Sequence, residues 1–203
     1  MIGIFGGTFD PVHNGHLHVA QQVLDRLVLD QVHFLPCAIP VHRGVPRASA
    51  VDRTRMIELA LEGLEKFKLN TLELKRDGKS YMVDTLREIR AGYPGQTICL
   101  ILGADAFNQL KGWKSPKEIL QLAHLVVCQR PDVELDREIF SDHWVESPAM
   151  PGESIEGCIL PLEIDENPCS STRVRNMLEA QESEIQCLHP AVFEYIQDHH
   201  LYQ

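Results

Sequence analysis

The stretch GGTFDPVHNGH, residues 6–16, groups residue types that could bind phosphate. Gly6 and Gly7 lack a Cβ atom, so a phosphate could closely approach main-chain N–H groups there. His13 and His16 are one helical turn apart and could donate two imidazole hydrogen bonds to one anion. Taken singly, a glycine pair can be a tight turn and two histidines can be half of a metal site. Their combination favours a phosphate-binding site.

The residues on either side place this stretch at a turn between a strand and a helix. Residues 2–5 form a short apolar run, and apolar residues recur with helical spacing from Leu17 to Leu27. A helix that begins near Gly15 would direct its unpaired N–H groups and positive dipole end at the same anion. The glycines do not have the spacing of the dinucleotide fingerprint, and the Gly-Lys-Ser at residues 78–80 lacks the leading glycine of a Walker loop.

A second candidate anion site is the sequence SSTRVR at residues 170–175. Serine and threonine at a helix start satisfy unpaired N–H groups, so this pattern could be helix capping alone. Hydroxyl and N–H groups at a helix N-terminus, with Arg175 one turn later, also make an anion site. From the residues alone both interpretations stay open.

The rest of the chain predicts an α/β fold with a doubly wound, mostly parallel sheet. Strand-like runs alternate with segments of helical spacing, which implies right-handed crossovers and helices on both faces of the sheet. In such sheets ligands bind beyond the carboxyl ends of the strands. The predicted strands are residues 2–5, 32–35, 69–74, 97–102, 124–129 and 159–164.

Length and composition predict one soluble domain over residues 1–203, with a C-terminal helical part from about residue 168. Hydrophobic residues make up 44% of the chain and charged residues 24%, as in ordinary globular proteins. The formal net charge of −10 argues against binding to nucleic acid or anionic membranes. The sequence has neither a membrane-spanning apolar run nor a signal-peptide pattern, so we expect a cytoplasmic protein.

The six cysteines are scattered, without a CxxC pair or short metal-ligand spacing. We therefore expect neither a protein metal site nor a disulfide framework. Cys99 and Cys128 lie in apolar, strand-like runs and are expected to be small buried hydrophobic residues. The sequence leaves the oligomeric state open between monomer and homodimer.

The tetrapeptide HNGH at residues 13–16 resembles the T/HxGH signature of the nucleotidyltransferase superfamily. The longer string GGTFDPVHNGH is similar to that of bacterial nicotinate mononucleotide adenylyltransferases, and the resemblance runs from Ile4 to about Tyr202. It implies a Rossmann-like nucleotidyltransferase fold and transfer of AMP from ATP to nicotinate mononucleotide. The products would be deamido-NAD and pyrophosphate, in NAD biosynthesis, with Mg²⁺ entering with ATP and no covalent intermediate. Asp10 is expected to shape the turn before Pro11 rather than bind the metal.

The same resemblance implies which residues act on the two substrates. His13, His16 and Arg175 would be the catalytic residues, acting through hydrogen bonds and charge. The residues that bind ATP would be Gly6, Gly7, Thr8, Phe9, Gly103, Asp105, Ser171 and Thr172. Those that bind nicotinate mononucleotide would be the basic pair His42 and Arg43, Tyr81 and Thr85 of the segment SYMVDT, and Trp113, which would stack on the pyridine ring.

Several other functions fit the sequence less well. Transfer of AMP to nicotinamide mononucleotide or phosphopantetheine would be the same reaction with another acceptor, but a phosphopantetheine enzyme would not need the SYMVDT segment. An aminoacyl-tRNA synthetase would be longer and would carry a KMSKS-like string. An oxidoreductase would need the dinucleotide fingerprint. A non-catalytic nucleotide sensor on the same fold could lose His13, His16 and Arg175, which are present here.

Overall fold

The computed structural model describes residues 1–40, 44–76, 78–129, 133–145 and 157–203, and in this part of the chain six parallel strands form one sheet. Their order across the sheet is β3-β2-β1-β4-β5-β6, so the chain reverses its direction of winding between β1 and β4. The strands are β1 (Ile2–Gly7), β2 (Gln31–Pro36), β3 (Phe67–Leu69), β4 (Ile98–Gly103), β5 (His124–Gln129) and β6 (Ile159–Glu163). The predicted doubly wound fold is confirmed.

The third strand differs from the prediction over residues 69–74. β3 spans Phe67–Leu69 and shares only Leu69 with the predicted strand, while residues 72–75 form a 3-10 turn. The side chain of Asn70 accepts a hydrogen bond from the main-chain N–H of Leu72, which turns the chain away from the sheet. An asparagine that bonds its own backbone two residues later is a turn former, and here it outweighs the apolar alternation that predicted a longer strand.

Helices cover both faces of the sheet. They are α1 (Asn14–Arg26), α2 (Ala50–Ala60), α3 (Met82–Gly92), α4 (Ala104–Asn108), α5 (Pro116–Leu122), α6 (Ser171–Glu179) and α7 (Pro190–Asp198). Alternate residues of β4 face opposite cores: Cys99 and Ile101 pack with α1, α2, α6 and α7, whereas Leu100 and Leu102 pack with α3, α4 and α5. Cys99 and Cys128 are buried, as predicted. Within the described ranges, no helix is both long and apolar enough to cross a bilayer.

One disulfide, between Cys169 and Cys187, departs from the expectation drawn from the scattered cysteines. The two residues are 18 positions apart in sequence, and their Cα atoms are 5.4 Å apart. They belong to the segments that precede α6 and α7, and the packing of these two helices brings them together. Sequence spacing alone carries no sign of this pairing, because it depends on how the C-terminal helices fold back.

Candidate active site

The turn from β1 to α1 lies at the point where the strand order reverses, because β1 pairs with β2 on one side and β4 on the other. Phe9 has a left-handed backbone (φ 49°), which redirects the chain after β1. A Cβ atom on Gly7 would lie 2.9 Å from the Phe9 ring, so this position needs glycine. The Phe9 side chain is 2% exposed and packs in the core, which leaves only its main chain to face a ligand.

The two histidines of the turn stack on each other. Their ring centroids are 3.7 Å apart with an interplanar angle of 26°. The main-chain N–H of His13 donates to Nδ1 of His16 over 3.2 Å. Because a main-chain N–H can only donate, Nδ1 is an acceptor and the proton of the neutral His16 ring sits on Nε2. His13 is buried and His16 is half-buried, so His16 is the more accessible ring.

Gly15 joins this turn to the second predicted motif. A Cβ atom at this position would lie 2.8 Å from the main-chain oxygen of Cys169 and 3.0 Å from Nδ1 of His13. The segment leading into α6 therefore packs directly against the start of α1. Because glycine has no Cβ atom, it permits this close approach of the N-terminal ends of α1 and α6.

Hydrogen bonds from α6 fix it to the turn. The Ser171 hydroxyl donates to the main-chain oxygen of Pro11 over 3.1 Å. The Arg175 guanidinium donates to the main-chain oxygen of Asp10 over 2.7 Å and to the Thr172 hydroxyl over 3.3 Å. Ser171 and Arg175 thus bond the loop between β1 and α1, and Thr172 is joined to it through Arg175, at a helix N-terminus suited to an anion.

Helix capping, the alternative reading of the second motif, accounts for Ser170. Its hydroxyl accepts from the main-chain N–H of Arg173 over 3.2 Å, as an N-cap residue does. Capping therefore accounts for Ser170, while the anion-binding interpretation concerns Ser171, Thr172 and Arg175.

Asp10 holds several segments together through its carboxylate. Its Oδ2 accepts from the main-chain N–H of Arg47 over 2.8 Å, and its Oδ1 accepts from that of Ala48 over 3.0 Å and from the Tyr202 hydroxyl over 2.8 Å. Asp10 is 8% exposed, so these donors replace water around a buried charge. Its role is wider than the turn formation expected from the sequence.

Arg53 is a further residue of the site that sequence reasoning missed. It is 1% exposed, and its guanidinium donates to the main-chain oxygens of Thr8 over 2.7 Å and Cys37 over 2.9 Å. It therefore joins the loops that follow β1 and β2 and places a positive charge beneath them. The sequence does contain one sign that Arg53 is buried: it lies on the same helical face as the apolar Met56, Ile57 and Ala60.

Tyr81, Thr85 and Trp113, which are predicted to bind the second substrate, lie on the face of the sheet that α3 covers. Ser80, before α3, accepts from the main-chain N–H of Ala38 over 3.0 Å, which ties α3 to the loop after β2. The Lys114 ammonium lies 4.6 Å from the centroid of the Tyr81 ring. Trp113, the neighbour of Lys114 in sequence, is half-buried at the end of a 3-10 turn. The structure thus brings the segments that carry Tyr81 and Trp113 together.

Thr85 is placed behind this surface. It is fully buried, and its hydroxyl donates to Oε1 of Glu73 over 2.8 Å and accepts from Arg76. Burial raises the pKa of the Glu73 carboxyl, although the hydrogen bond from Thr85 acts in the opposite direction. The side chain of Thr85 therefore supports the start of α3 from inside.

The remaining predicted residues lie at the end of β4 or beyond the described ranges. Gly103 is the exposed last residue of β4 with open space around it, and Asp105 is exposed in the first turn of α4. Because β4 is paired with β1, both lie on the same rim as the histidine turn. His42 and Arg43 lie outside the described residues. Among those described, no group of three or more His, Cys, Asp or Glu side chains could hold a metal ion.

Known proteins are similar to this chain along most or all of its length. The sequence model of the cytidylyltransferase-like family matches residues 4–177. A protein of Methylococcus capsulatus named "Probable nicotinate-nucleotide adenylyltransferase" is 43% identical over 208 residues, covering 100% of this chain and 99% of that protein. One of Hydrogenovibrio crunogenus with the same name is 38% identical over 208 residues, covering 100% and 98%.

Solved structures of a more distant protein share the fold. Plasmodium falciparum nicotinic acid mononucleotide adenylyltransferase complexed with NaAD superimposes with a TM-score of 0.78 and 19% identity, covering 99% of this chain and 96% of that one. The same protein complexed with APC gives a TM-score of 0.76, with the same identity and coverage.

Proposed function

This chain belongs to the cytidylyltransferase-like family and, within it, to the nicotinate-nucleotide adenylyltransferases, and we propose that it transfers AMP from ATP to nicotinate mononucleotide. The products are deamido-NAD and pyrophosphate, in NAD biosynthesis. One observation carries the assignment: the stacked histidine pair and the start of α6, with Arg175, meet on a single turn. Such a meeting of donors suits a triphosphate that must be held while one phosphoryl group reacts.

The triphosphate lies between α6 and the histidine turn in this proposal. Arg175, Ser171 and Thr172 contact the β- and γ-phosphates, while Nε2 of His16 donates to the α-phosphoryl oxygens. The stacked His13 ring adds a second imidazole and fixes that of His16. Because the acceptor phosphate is already anionic, it attacks the α-phosphorus in line without a general base. These residues act by orientation and charge stabilisation, with no covalent intermediate.

The rest of the nucleotide follows the rim of the sheet. Main-chain N–H groups of residues 6–9 approach the phosphates, and in this interpretation Phe9 contributes only its backbone. Gly103 leaves room for the ribose, and the exposed Asp105 carboxylate accepts from its hydroxyl groups.

In this proposal nicotinate mononucleotide binds at the rim of the sheet, on the face that α3 covers. Trp113 stacks on the pyridine ring, and Tyr81 borders it. His42 and Arg43 provide positive charge for this anionic substrate. Since the hydroxyl of Thr85 is engaged with Glu73, the contribution of Thr85 here is to shape the start of α3.

Mg²⁺ enters with ATP in this proposal and is bound by phosphate oxygens. Both carboxylate oxygens of Asp10, the acidic residue of the turn, already accept hydrogen bonds from the protein. The ion supplies charge neutralisation on the departing pyrophosphate. The enzyme works in the cytoplasm on two small anions, as a monomer or homodimer.

The test is a product assay with Mg-ATP and nicotinate mononucleotide. We expect deamido-NAD and pyrophosphate in equal amounts, and neither product when the acceptor is omitted. Turnover with phosphopantetheine but not with nicotinate mononucleotide would show that phosphopantetheine is the acceptor. Binding of ATP without turnover of any acceptor would indicate a non-catalytic nucleotide sensor instead of an enzyme.

A further inference from the structure

The C-terminal end of the chain reaches into the candidate active site. Tyr202, the penultimate residue, is 7% exposed, and its hydroxyl donates to Oδ1 of Asp10 over 2.8 Å, across 192 positions of sequence. His200 and Tyr202 have left-handed backbones, with φ of 51° and 62°. This conformation is unfavourable for side chains of this size. The chain adopts it twice within three residues and thereby buries the Tyr202 ring beside the phosphate-binding turn.

Asp10 connects this contact to the residues proposed to bind ATP. While its carboxylate accepts from Tyr202, its main-chain oxygen accepts from Arg175, and the next carbonyl, of Pro11, accepts from Ser171. A shift of Asp10 would therefore move the main-chain oxygens that accept from Arg175 and Ser171, two residues proposed to bind the triphosphate. Burial and the neighbouring Asp10 carboxylate raise the pKa of the Tyr202 hydroxyl, so it remains a proton donor at neutral pH.

We propose that Tyr202 is a positioning residue for ATP binding, which acts through Asp10 to hold the phosphate-binding turn and Arg175 in the arrangement that receives the triphosphate. The inference deepens the proposed function and rests on it. In the wild-type protein the turn is ordered before ATP arrives, so binding does not have to supply that order. Without the Tyr202 hydroxyl the turn is less ordered before ATP binds. Part of the binding free energy is then spent on ordering the turn, so the affinity for ATP falls.

Tyr202→Phe tests this, with Tyr195→Phe as the matched control. Both changes remove one hydroxyl that donates to a carboxylate while keeping the ring, but Tyr195 bonds Asp52 on α2, over 3.0 Å. The probe is a non-hydrolysable ATP analogue, titrated by calorimetry, with Tm measured for each variant. We expect Tyr202→Phe to raise the Kd of the analogue about tenfold. Tyr195→Phe should change it by less than about twofold, because its hydroxyl bonds Asp52 and not Asp10.

Equal Kd increases in the two variants, or an unchanged Kd in Tyr202→Phe, would overturn the proposal and leave Tyr202 a packing residue. Asp10→Ala gives a second route, because it removes the acceptor of the Tyr202 hydroxyl altogether. Since that contact is then already lost, the double variant Asp10→Ala with Tyr202→Phe should bind no more weakly than Asp10→Ala alone. Additive losses would also contradict the proposal. Since the analogue is titrated without an acceptor, a failure of the adenylyl-transfer assignment shows separately, as wild-type protein that forms no deamido-NAD.

Discussion

The stacked histidines show how single residues divide the work at this site. His13 lies under its partner and donates its main-chain N–H to Nδ1 of His16, which directs the proton of His16 to Nε2. The packing of Phe9 against the His16 ring, with centroids 4.9 Å apart, limits the rotation of that ring. His16 is therefore held as an oriented donor, which is what stabilisation of a developing charge requires.

His16→Ala should lower kcat by about 10²–10³, the loss typical of one oriented donor to a transition-state oxyanion. The Kd of ATP should change little, because Arg175 and α6 remain in place to hold the outer phosphates. Steady-state kinetics and calorimetry measure the two quantities. His18→Ala, on the same helix but bonded to the main-chain oxygen of Asp165, is the control and should keep wild-type kcat. If the kcat of His16→Ala stays within a few-fold of the wild-type value, His16 does not take part in catalysis.

Residues with a local pattern could be predicted from the sequence, and residues whose partners are distant could not. The spacing of His13, His16 and Arg175 is visible within short motifs, and the structure brings these residues together. Asp10 and Tyr202 are 192 positions apart, and Arg53 and Thr8 are 45 apart. Their hydrogen bonds exist only because the fold closes, so no pattern in the sequence reveals the partners, although helical spacing indicates that Arg53 is buried.

At the level of elements, the C-terminal helices complete the site. α6 supplies the second motif, and the segment before α7 also contacts the histidine turn, since the main-chain oxygen of Cys187 accepts from the N–H of Asn14 over 2.8 Å. The disulfide from Cys187 to Cys169 joins these two segments. The strand and helix alternation predicted the sheet well, whereas the side chain of Asn70 ended β3 earlier than that pattern indicated.

Cys187→Ser should destabilise the protein, because the disulfide restricts a loop of 18 positions in the unfolded chain. A loop of that size is worth about 3 kcal/mol, equivalent to a Tm lower by roughly 6–12 °C in a protein of this length. Thermal unfolding without reductant measures it. Cys37→Ser, at a cysteine outside the disulfide, is the control. If Cys187→Ser and the control unfold at the same temperature as wild type, the disulfide does not contribute to stability.

At the scale of the whole molecule, parallel topology explains why motifs far apart in sequence act together. The carboxyl ends of the parallel strands lie on one edge of the sheet. The segments after β1 and β4 carry part of the proposed site, Tyr81 and Thr85 follow β3, and the motif with Arg175 follows β6. The chain has a formal net charge of −10, so its overall field repels two anionic substrates. We therefore expect local positive charge to offset this field, from Arg175 on α6 and from the buried Arg53 beneath the loops.

The most direct measurement is pyrophosphate release from Mg-ATP with nicotinate mononucleotide and, separately, nicotinamide mononucleotide as acceptor. The account predicts a kcat/KM for the acid at least about tenfold above that for the amide, because one hydrogen bond to a charged group contributes roughly 1.5–3 kcal/mol. Equal values, or a preference for the amide, would contradict the assigned acceptor. No release with either acceptor would contradict the assignment as a pyridine-nucleotide adenylyltransferase.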